Sequence, residues 1–256
     1  MVQEIATVTG RNEVAEGVHV VRFSSAHISR TSLPGQFVNV RVGHGFLPLL
    51  RRPFSVCRTQ DDEAEIVFNI VGEGTRILSE KEPGEKIDVL GPLGTPFGYE
   101  RGFDTALMVA GGLGVAPFPL LTQKIRNQVE RIETFVGAAT GSKLWTEHLE
   151  NVHAATDDGT KGFRGTVVAQ LAEFLTSNKV RNPKIFGCGP TRMLHALSDL
   201  AKRYEIACDL SLEGDMACGM GICQGCPVER VNGTKKYSLV CTDGPTFDNR
   251  EIVLQA

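Results

Sequence analysis

The chain has 256 residues, of which 41% are hydrophobic and 22% charged, and its formal net charge is −3. This is ordinary soluble-protein composition with room for two compact domains and a small appendix, and it gives no electrostatic case for binding nucleic acid or an anionic membrane. No apolar run reaches membrane-spanning length, and Met1-Val2-Gln3-Glu4 lacks the basic stretch and apolar run of a signal peptide, so a cytoplasmic location is expected.

Short alternating runs fill the first hundred residues: Gly17–Phe23, Gln36–Val42, Glu65–Val71 and Lys86–Leu90. Turns rich in Gly, Pro and Asp separate them. Period-two runs at this spacing predict antiparallel strands in a sandwich or small barrel. Gly91-Pro92-Leu93-Gly94-Thr95-Pro96-Phe97-Gly98 is unsuited to regular structure and sets a first domain at residues 1–100.

The next segment, residues 101–207, alternates strand and helix. Thr105–Ala110 reads as a buried strand and runs straight into Gly111-Gly112-Leu113-Gly114-Val115-Ala116-Pro117. Helical spacing follows over Phe118–Val129, with Pro117 near the first turn, where proline is tolerated. Strand, glycine turn and helix together place backbone N–H groups and a helix dipole under a pyrophosphate. The pattern is G-x-G-x-x-P, with Pro117 where a full dinucleotide fingerprint has its third glycine.

Strands are expected at Glu133–Ala138 and His153–Thr156, and a helix at Val167–Leu175. Lys184-Ile185-Phe186 then leads into Gly187-Cys188-Gly189-Pro190 and a helix at Thr191–Arg203. Alternation of this kind implies a parallel sheet with ligands at the carboxyl ends of its strands. No acidic residue ends the second strand to read a ribose 2′-hydroxyl. Asp157-Asp158-Gly159-Thr160 reads equally well as a polar turn or a nucleotide contact. No His or Asp is placed to activate Cys188 as a nucleophile. Trp145, with Leu144 and Leu149, suits the core face of a short helix.

Residues 208–256 carry Cys218, Cys223, Cys226 and Cys241 in the spacing C-x4-C-x2-C followed by fourteen residues and the fourth Cys. That is the plant-type spacing for a [2Fe–2S] cluster held by four thiolates. Gly219, Gly221 and Gly225 interleave the cysteines and let backbone N–H groups approach sulfur. Zinc usually shows two C-x2-C-like pairs, and here there is one. Seven cysteines in a chain with no sign of secretion argue against a disulfide framework. A Rieske centre needs two His ligands, and none lies between Cys218 and Cys241. Cys57 and Cys208 read as small buried apolar residues, and no histidine is given a role.

Two motifs in the first segment gain meaning together. Arg51-Arg52-Pro53-Phe54-Ser55 and, one strand later, Asn69-Ile70-Val71-Gly72-Glu73-Gly74-Thr75 resemble the flavin signature of ferredoxin-reductase-like barrels. The resemblance implies that Arg52 binds the FAD diphosphate and Ser55 lies by the flavin ring. Pro53 and Phe54 belong to the same contact, Phe68 and Asn69 would touch FAD at the strand edge, and Gly74 and Thr75 would meet phosphate. Phe54 stands where that superfamily often has Tyr, so contact there rests on packing without a hydroxyl. The glycine turn with Gly111, Gly112 and Gly114 is the form used by the nucleotide domain of the same enzymes. Cys188-Gly189-Pro190 is typical of their nicotinamide pocket. The implied fold is an FAD-binding antiparallel β-barrel, a parallel-sheet α/β nucleotide domain and a small C-terminal [2Fe–2S] domain. The implied order of electron carriers is NAD(H), then FAD, then the cluster, because hydride carries paired electrons and the cluster takes one at a time.

The stretch from Ser211-Leu212-Glu213 through Met216-Ala217-Cys218 to Cys226, with Val240-Cys241 and Asp243-Gly244-Pro245, is similar to the electron-transfer subunits of class 1B dihydroorotate dehydrogenases. That resemblance implies a partner, an FMN-containing catalytic subunit that converts dihydroorotate to orotate in pyrimidine synthesis, assembled as two copies of each. Two other readings stay open: an electron-transfer subunit of another NAD(P)-linked complex, such as a sulfhydrogenase or ferredoxin–NADP type, and a zinc-stabilised nucleotide-binding module.

Overall fold

The computed structural model describes residues 1–43, 45, 47–100, 102–231 and 235–254. The first sheet is built from β1 (Val2–Ala15), β2 (Val18–Ser24), β3 (Phe37–Arg41), β4 (Arg52–Ser55), β5 (Arg58–Gln60), β6 (Glu63–Asn69) and β7 (Lys86–Leu93). Its order is β4-β3-β7-β1-β2-β6-β5, with every pair antiparallel. The sheet curls on itself: Phe54 of β4 and Phe68 of β6 bring their rings to 5.4 Å although β4 is an edge strand. One interior is therefore shared, with Val8, Phe23, Val38, Ile66 and Val89 fully buried in it. The helix α1 (Ala26–Thr31) plugs one end with Ile28, and its N-cap Ser25 accepts from Ile28 N at 3.0 Å. A second helix, α2 (Glu73–Ser79), follows β6.

Sequence patterning missed β1 because much of its length presents Gln, Glu and Thr to solvent, and a register shift between Val8 and Gly10 breaks the alternation.

The second sheet comprises β8 (Thr105–Gly111), β9 (Arg131–Ala138), β10 (Val152–Thr156), β11 (Phe163–Arg164), β12 (Pro183–Cys188) and β13 (Ala207–Ser211). Helices α3 (Phe118–Ile125), α4 (Val167–Ser177) and α5 (Thr191–Arg203) connect or follow these strands. After the cysteine segment's own three-stranded sheet of β14 (Pro227–Arg230), β15 (Tyr237–Leu239) and β17 (Ile252–Val253), one further strand matters, β16 (Thr246–Asp248). It joins the nucleotide sheet antiparallel to β13, giving the order β11-β10-β9-β8-β12-β13-β16. The cysteine segment thus leaves and re-enters the same sheet edge.

The strands β8, β9 and β12 are apolar along most of their length because both faces are covered. Helices α4 and α5 cover one face through Leu171, Leu194 and Leu197. The other face shares its core with the barrel: Phe97, Phe118 and Phe186 are fully buried together with Val18 and Val67. Burying each such side chain contributes roughly 1.5–3 kcal/mol. Two polar clasps also join the domains. Lys184 pairs with Asp209 at 2.9 Å and donates to Gly98 O at 2.6 Å, while Asp209 accepts from Gly98 N at 2.8 Å. On the opposite side, Glu16 N donates to Ser142 O at 3.0 Å.

Two local expectations change. Pro117 caps α3 after the tight 3-10 turn Gly112–Val115, at the expected start, but the helix stops at Ile125 rather than running to Val129. Trp145 is buried, as core placement demands, but it lies in a loop following the 3-10 turn Gly141–Lys143 rather than on a helix.

Candidate cofactor and electron-transfer site

A cavity of about 370 Å³ opens between barrel and nucleotide sheet. The barrel contributes Arg52, Pro53, Phe54, Ser55, Phe68, Asn69 and Thr75, which are nearly all of the residues expected at a flavin. Cys188, at the carboxyl end of β12, closes the opposite wall. Ser211, Leu212, Glu213 and Gly214, from the root of the cysteine segment, form a third side with Met216. These last residues were missed as site residues. The signal was present in the Ser-Leu-Glu lead-in, but no spacing rule ties it to a cavity built from strands more than a hundred residues earlier.

The cradle fits a diphosphate-bearing ligand in a specific way. Arg52 lies across Gly74 so closely that a Cβ there would collide with its Nε, and its Nη1 donates to Leu50 O. The guanidinium is held in place and faces the cavity. The Thr75 hydroxyl, expected to donate to phosphate, is engaged locally: it accepts from Val71 N at 2.9 Å and donates to Gly72 O at 3.0 Å. Its contribution is to shape the turn.

Cys188 is a spectator thiol. Burial, and then the Glu213 carboxylate, push it up to about 12, against a hydrogen bond with Ser211 that lowers it. It stays protonated at any physiological pH, consistent with a shape role.

The two glycine turns interlock, which explains their composition better than ligand contact does. A Cβ on Gly111 would meet Met193 Sδ at 2.7 Å and Pro190 Cδ at 2.8 Å, and one on Gly114 would strike the Cys188 carbonyl. Gly189 has φ +152, and a Cβ on it would meet Gly111 N at 2.9 Å. Gly112 lines a second cavity of about 390 Å³ over the ends of β8 and β9. Leu113 belongs to both cavities, so they are neighbours.

The cysteine segment brings its thiols together as two pairs. Cys218 hydrogen-bonds with Cys223, and Cys226 with Cys241. Backbone N–H groups aim at sulfur: Cys223 N and Met220 N reach Cys218 Sγ at 3.4 and 3.5 Å, Gly225 N reaches Cys223 Sγ at 3.4 Å, and Cys241 N reaches Cys226 Sγ at 3.4 Å. Burial pushes the Cys218 thiol up, but the N–H donors outweigh it and bring it down to about 6. Burial and the neighbouring Cys226 push Cys241 up to about 11.

This donor set suits thiolates bound to a two-iron cluster, two per iron. Among the described residues no three His, Cys, Asp or Glu side chains gather as ligands of one ion, as tetrahedral zinc requires. Gly219 (φ +69) and Gly221 (φ +82) are required here, since side chains would run into Asn39 and Thr242. Asn39, buried in β3, donates from Nδ2 to Cys218 O at 3.1 Å and ties the loop to the barrel. Cys226 and Cys241 are buried, whereas Cys223 is exposed, so one side of the site faces outward.

Fold and site define an electron-transfer oxidoreductase of the ferredoxin-reductase-like class with an iron–sulfur segment appended. The family profile for the iron–sulfur cluster binding domain of dihydroorotate dehydrogenase B matches residues 213–253. The chain is 34% identical over 98% of its length, and 99% of the relative's, to the dihydroorotate dehydrogenase B (NAD(+)) electron transfer subunit of Geobacillus thermodenitrificans. It is 36% identical over 99% of its length, and 100% of the relative's, to that of Geobacillus sp. strain WCH70. Among solved structures, a chain of NADH-dependent reduced ferredoxin–NADP oxidoreductase superposes with TM-score 0.84 at 26% identity, covering 98% of this chain and 90% of that one. A ferredoxin NADP+ reductase from Neisseria gonorrhoeae superposes with TM-score 0.65 at 16% identity, over 77% of this chain and 91% of that one, and so shares the fold. The chain belongs to the family of dihydroorotate dehydrogenase B (NAD(+)) electron transfer subunits.

Proposed function

We propose that this chain is the subunit that exchanges electrons between NAD(H) and an FMN-containing dihydroorotate dehydrogenase catalytic subunit, using FAD and a [2Fe–2S] cluster. The observation that carries the reading is the three-sided cavity in which the barrel motif, Cys188 and the root of the cysteine segment face one another. In the proposed division, residues 1–100 hold FAD, 101–207 hold NAD(H) and 208–256 hold the cluster through Cys218, Cys223, Cys226 and Cys241. FAD supplies two-electron exchange with a nicotinamide and one-electron exchange with the cluster.

The chain's own residues hold and orient. Arg52 provides a fixed bidentate donor for diphosphate. Phe54 and Phe68 wall the ring side, Ser55 presents a hydroxyl, and Glu213 sets the field beside Cys188. Leu113 and Ala116 give the first cavity apolar lining, and Leu113 continues it into the second. The assembly is two of each subunit in the cytoplasm. Among the described residues no helix is long and apolar enough to cross a membrane.

Reconstitution tests the reading. The catalytic partner purified with this chain should oxidise dihydroorotate with NAD+, and the partner alone should lose NAD-linked turnover. Full NAD-linked activity of the partner alone would overturn it. The superposition on the NADH-dependent ferredoxin–NADP oxidoreductase chain favours a second reading, a ferredoxin–NADP-type partner. Affinity capture from native extract separates the two by the mass of the associated chain.

A further inference from the structure

The second cavity carries a charge arrangement that the proposed function leaves unused. Its lining includes one acidic side chain, Glu16, and one basic side chain, Lys143. Glu16 belongs to the barrel, in the turn between β1 and β2. Its N–H donates to Ser142 O at 3.0 Å, and its Oε2 accepts from Ser142 Oγ at 2.5 Å. The remaining oxygen, Oε1, has no hydrogen-bond partner among the described residues. The carboxylate is therefore oriented across the domain boundary with one oxygen free.

What it faces follows from strand order. Dinucleotide-binding sheets carry an acid at the end of the second strand that hydrogen-bonds the adenosine ribose. Here β9 ends in Gly137-Ala138, followed by Ala139, all of which line the cavity and none of which can do this. In the sheet, β12, β8 and β9 are successive neighbours, about 4.8 Å apart. A nicotinamide beside Cys188 at the end of β12 puts the pyrophosphate over Gly112 and Leu113 after β8. The adenosine ribose then falls over the end of β9, opposite Glu16.

Resting on the reading of this cleft as the NAD(H) site, we propose that Glu16 replaces the missing acid: it accepts the adenosine ribose hydroxyls and repels a 2′-phosphate, so dinucleotide choice is made by the barrel as well as by the nucleotide domain. Lys143 serves the pyrophosphate, which both dinucleotides share. Asp158 is the rival carboxylate at the end of β10. However, its Oδ1 is occupied by Thr160 N at 3.0 Å and Thr160 Oγ1 at 2.7 Å, and it does not line the cavity.

The test is calorimetric titration of NAD+ and NADP+ into the oxidised complex of this chain with its partner, for the native chain, Glu16→Gln and Asp158→Asn. FAD content and circular dichroism establish equal folding. Trp145, the chain's one tryptophan, lines the same cavity and gives an independent fluorescence reading. Glu16→Gln should shift affinity toward NADP+ relative to NAD+ by about tenfold, the equivalent of about 1.4 kcal/mol, while Asp158→Asn leaves the ratio within about twofold. An unchanged ratio in Glu16→Gln, or a ratio that moves only in Asp158→Asn, overturns the assignment of Glu16 and leaves the cleft's reading intact. Binding of neither dinucleotide by the native complex overturns both.

Discussion

Gly74 shows how a single position can invert a general rule. Alanine in a helix is ordinarily better than glycine by about 1 kcal/mol. Here a Cβ would occupy the space of the Arg52 guanidinium. Gly74→Ala should therefore leave thermal stability near native but weaken FAD retention by about tenfold or more, read as flavin released on dialysis, because a displaced Arg52 loses its paired donors. The motif containing Arg52 and Gly74 was visible in the sequence, but the reason for its glycine was not. That reason is a contact between a strand residue, Arg52 of β4, and a helix residue, Gly74 of α2. The same holds for Gly111, Gly114 and Gly189, which sequence reading assigned to ligand approach and which the structure uses to seat one turn against another. The thiols divide cleanly at this scale as well. Cys57, Cys188 and Cys208 are buried, and burial raises each of their pKa values well above the usual 9.0, that of Cys188 to about 12. A raised pKa keeps the neutral thiol at and above neutral pH. Iodoacetamide at pH 8 should thus leave these three unmodified in the native protein and label them after denaturation, as peptide mass analysis would show.

Elements were legible where a strand is covered on both faces or alternates cleanly, and illegible where the alternation is broken. Thr105–Gly111 reads as a strand because six of its residues are buried in succession. β1 hides because its buried positions are few and interrupted. Helix α5 was found with its observed bounds, since its apolar positions recur at helical spacing. Loop 141–149 misled because Leu144, Trp145 and Leu149 mimic one face of a helix while the backbone merely tucks them under the sheet. What no single element reveals is the clasp of Lys184, Asp209 and Gly98, which draws on two strands and the linker between domains. Lys184 and Asp209 side chains are each 15% exposed. Lys184→Met leaves the Asp209 carboxylate with little besides the Gly98 N–H. It should cost about 2–3 kcal/mol, less than a wholly buried pair because some solvent remains. At this chain length that corresponds to a fall in melting temperature of roughly 4–12 °C. A calorimetric scan measures it.

Across the molecule, the order of segments could be read along the chain, whereas the route of the chain could not. The cysteine segment was expected as a separate tail, yet its flanks, β13 and β16, are strands of the nucleotide sheet. Long-range pairing of this kind leaves no local trace in three-residue strands. Cluster and flavin cradle still draw on different side chains. Cys223→Ser should abolish iron binding and its electron paramagnetic resonance signal while FAD stays near one per chain. Such a variant should still let NADH bleach the flavin in stopped flow, but pass nothing to the catalytic partner. Equal loss of FAD at native circular dichroism would sink the proposed division of labour.

Ser211 and Thr246 stand side by side as paired residues of β13 and β16. Everything between them, including the iron-binding turn, is a detour that departs from one lip of the sheet and comes back to it. Shortened to a simple hairpin, the chain would lose the four cysteines and, with Leu212, Glu213, Gly214 and Met216, one wall of the cavity against the barrel. The detour is thus welded to the body it leaves, through Asn39 at its tip and the cavity wall at its root, and neither can be trimmed without the other.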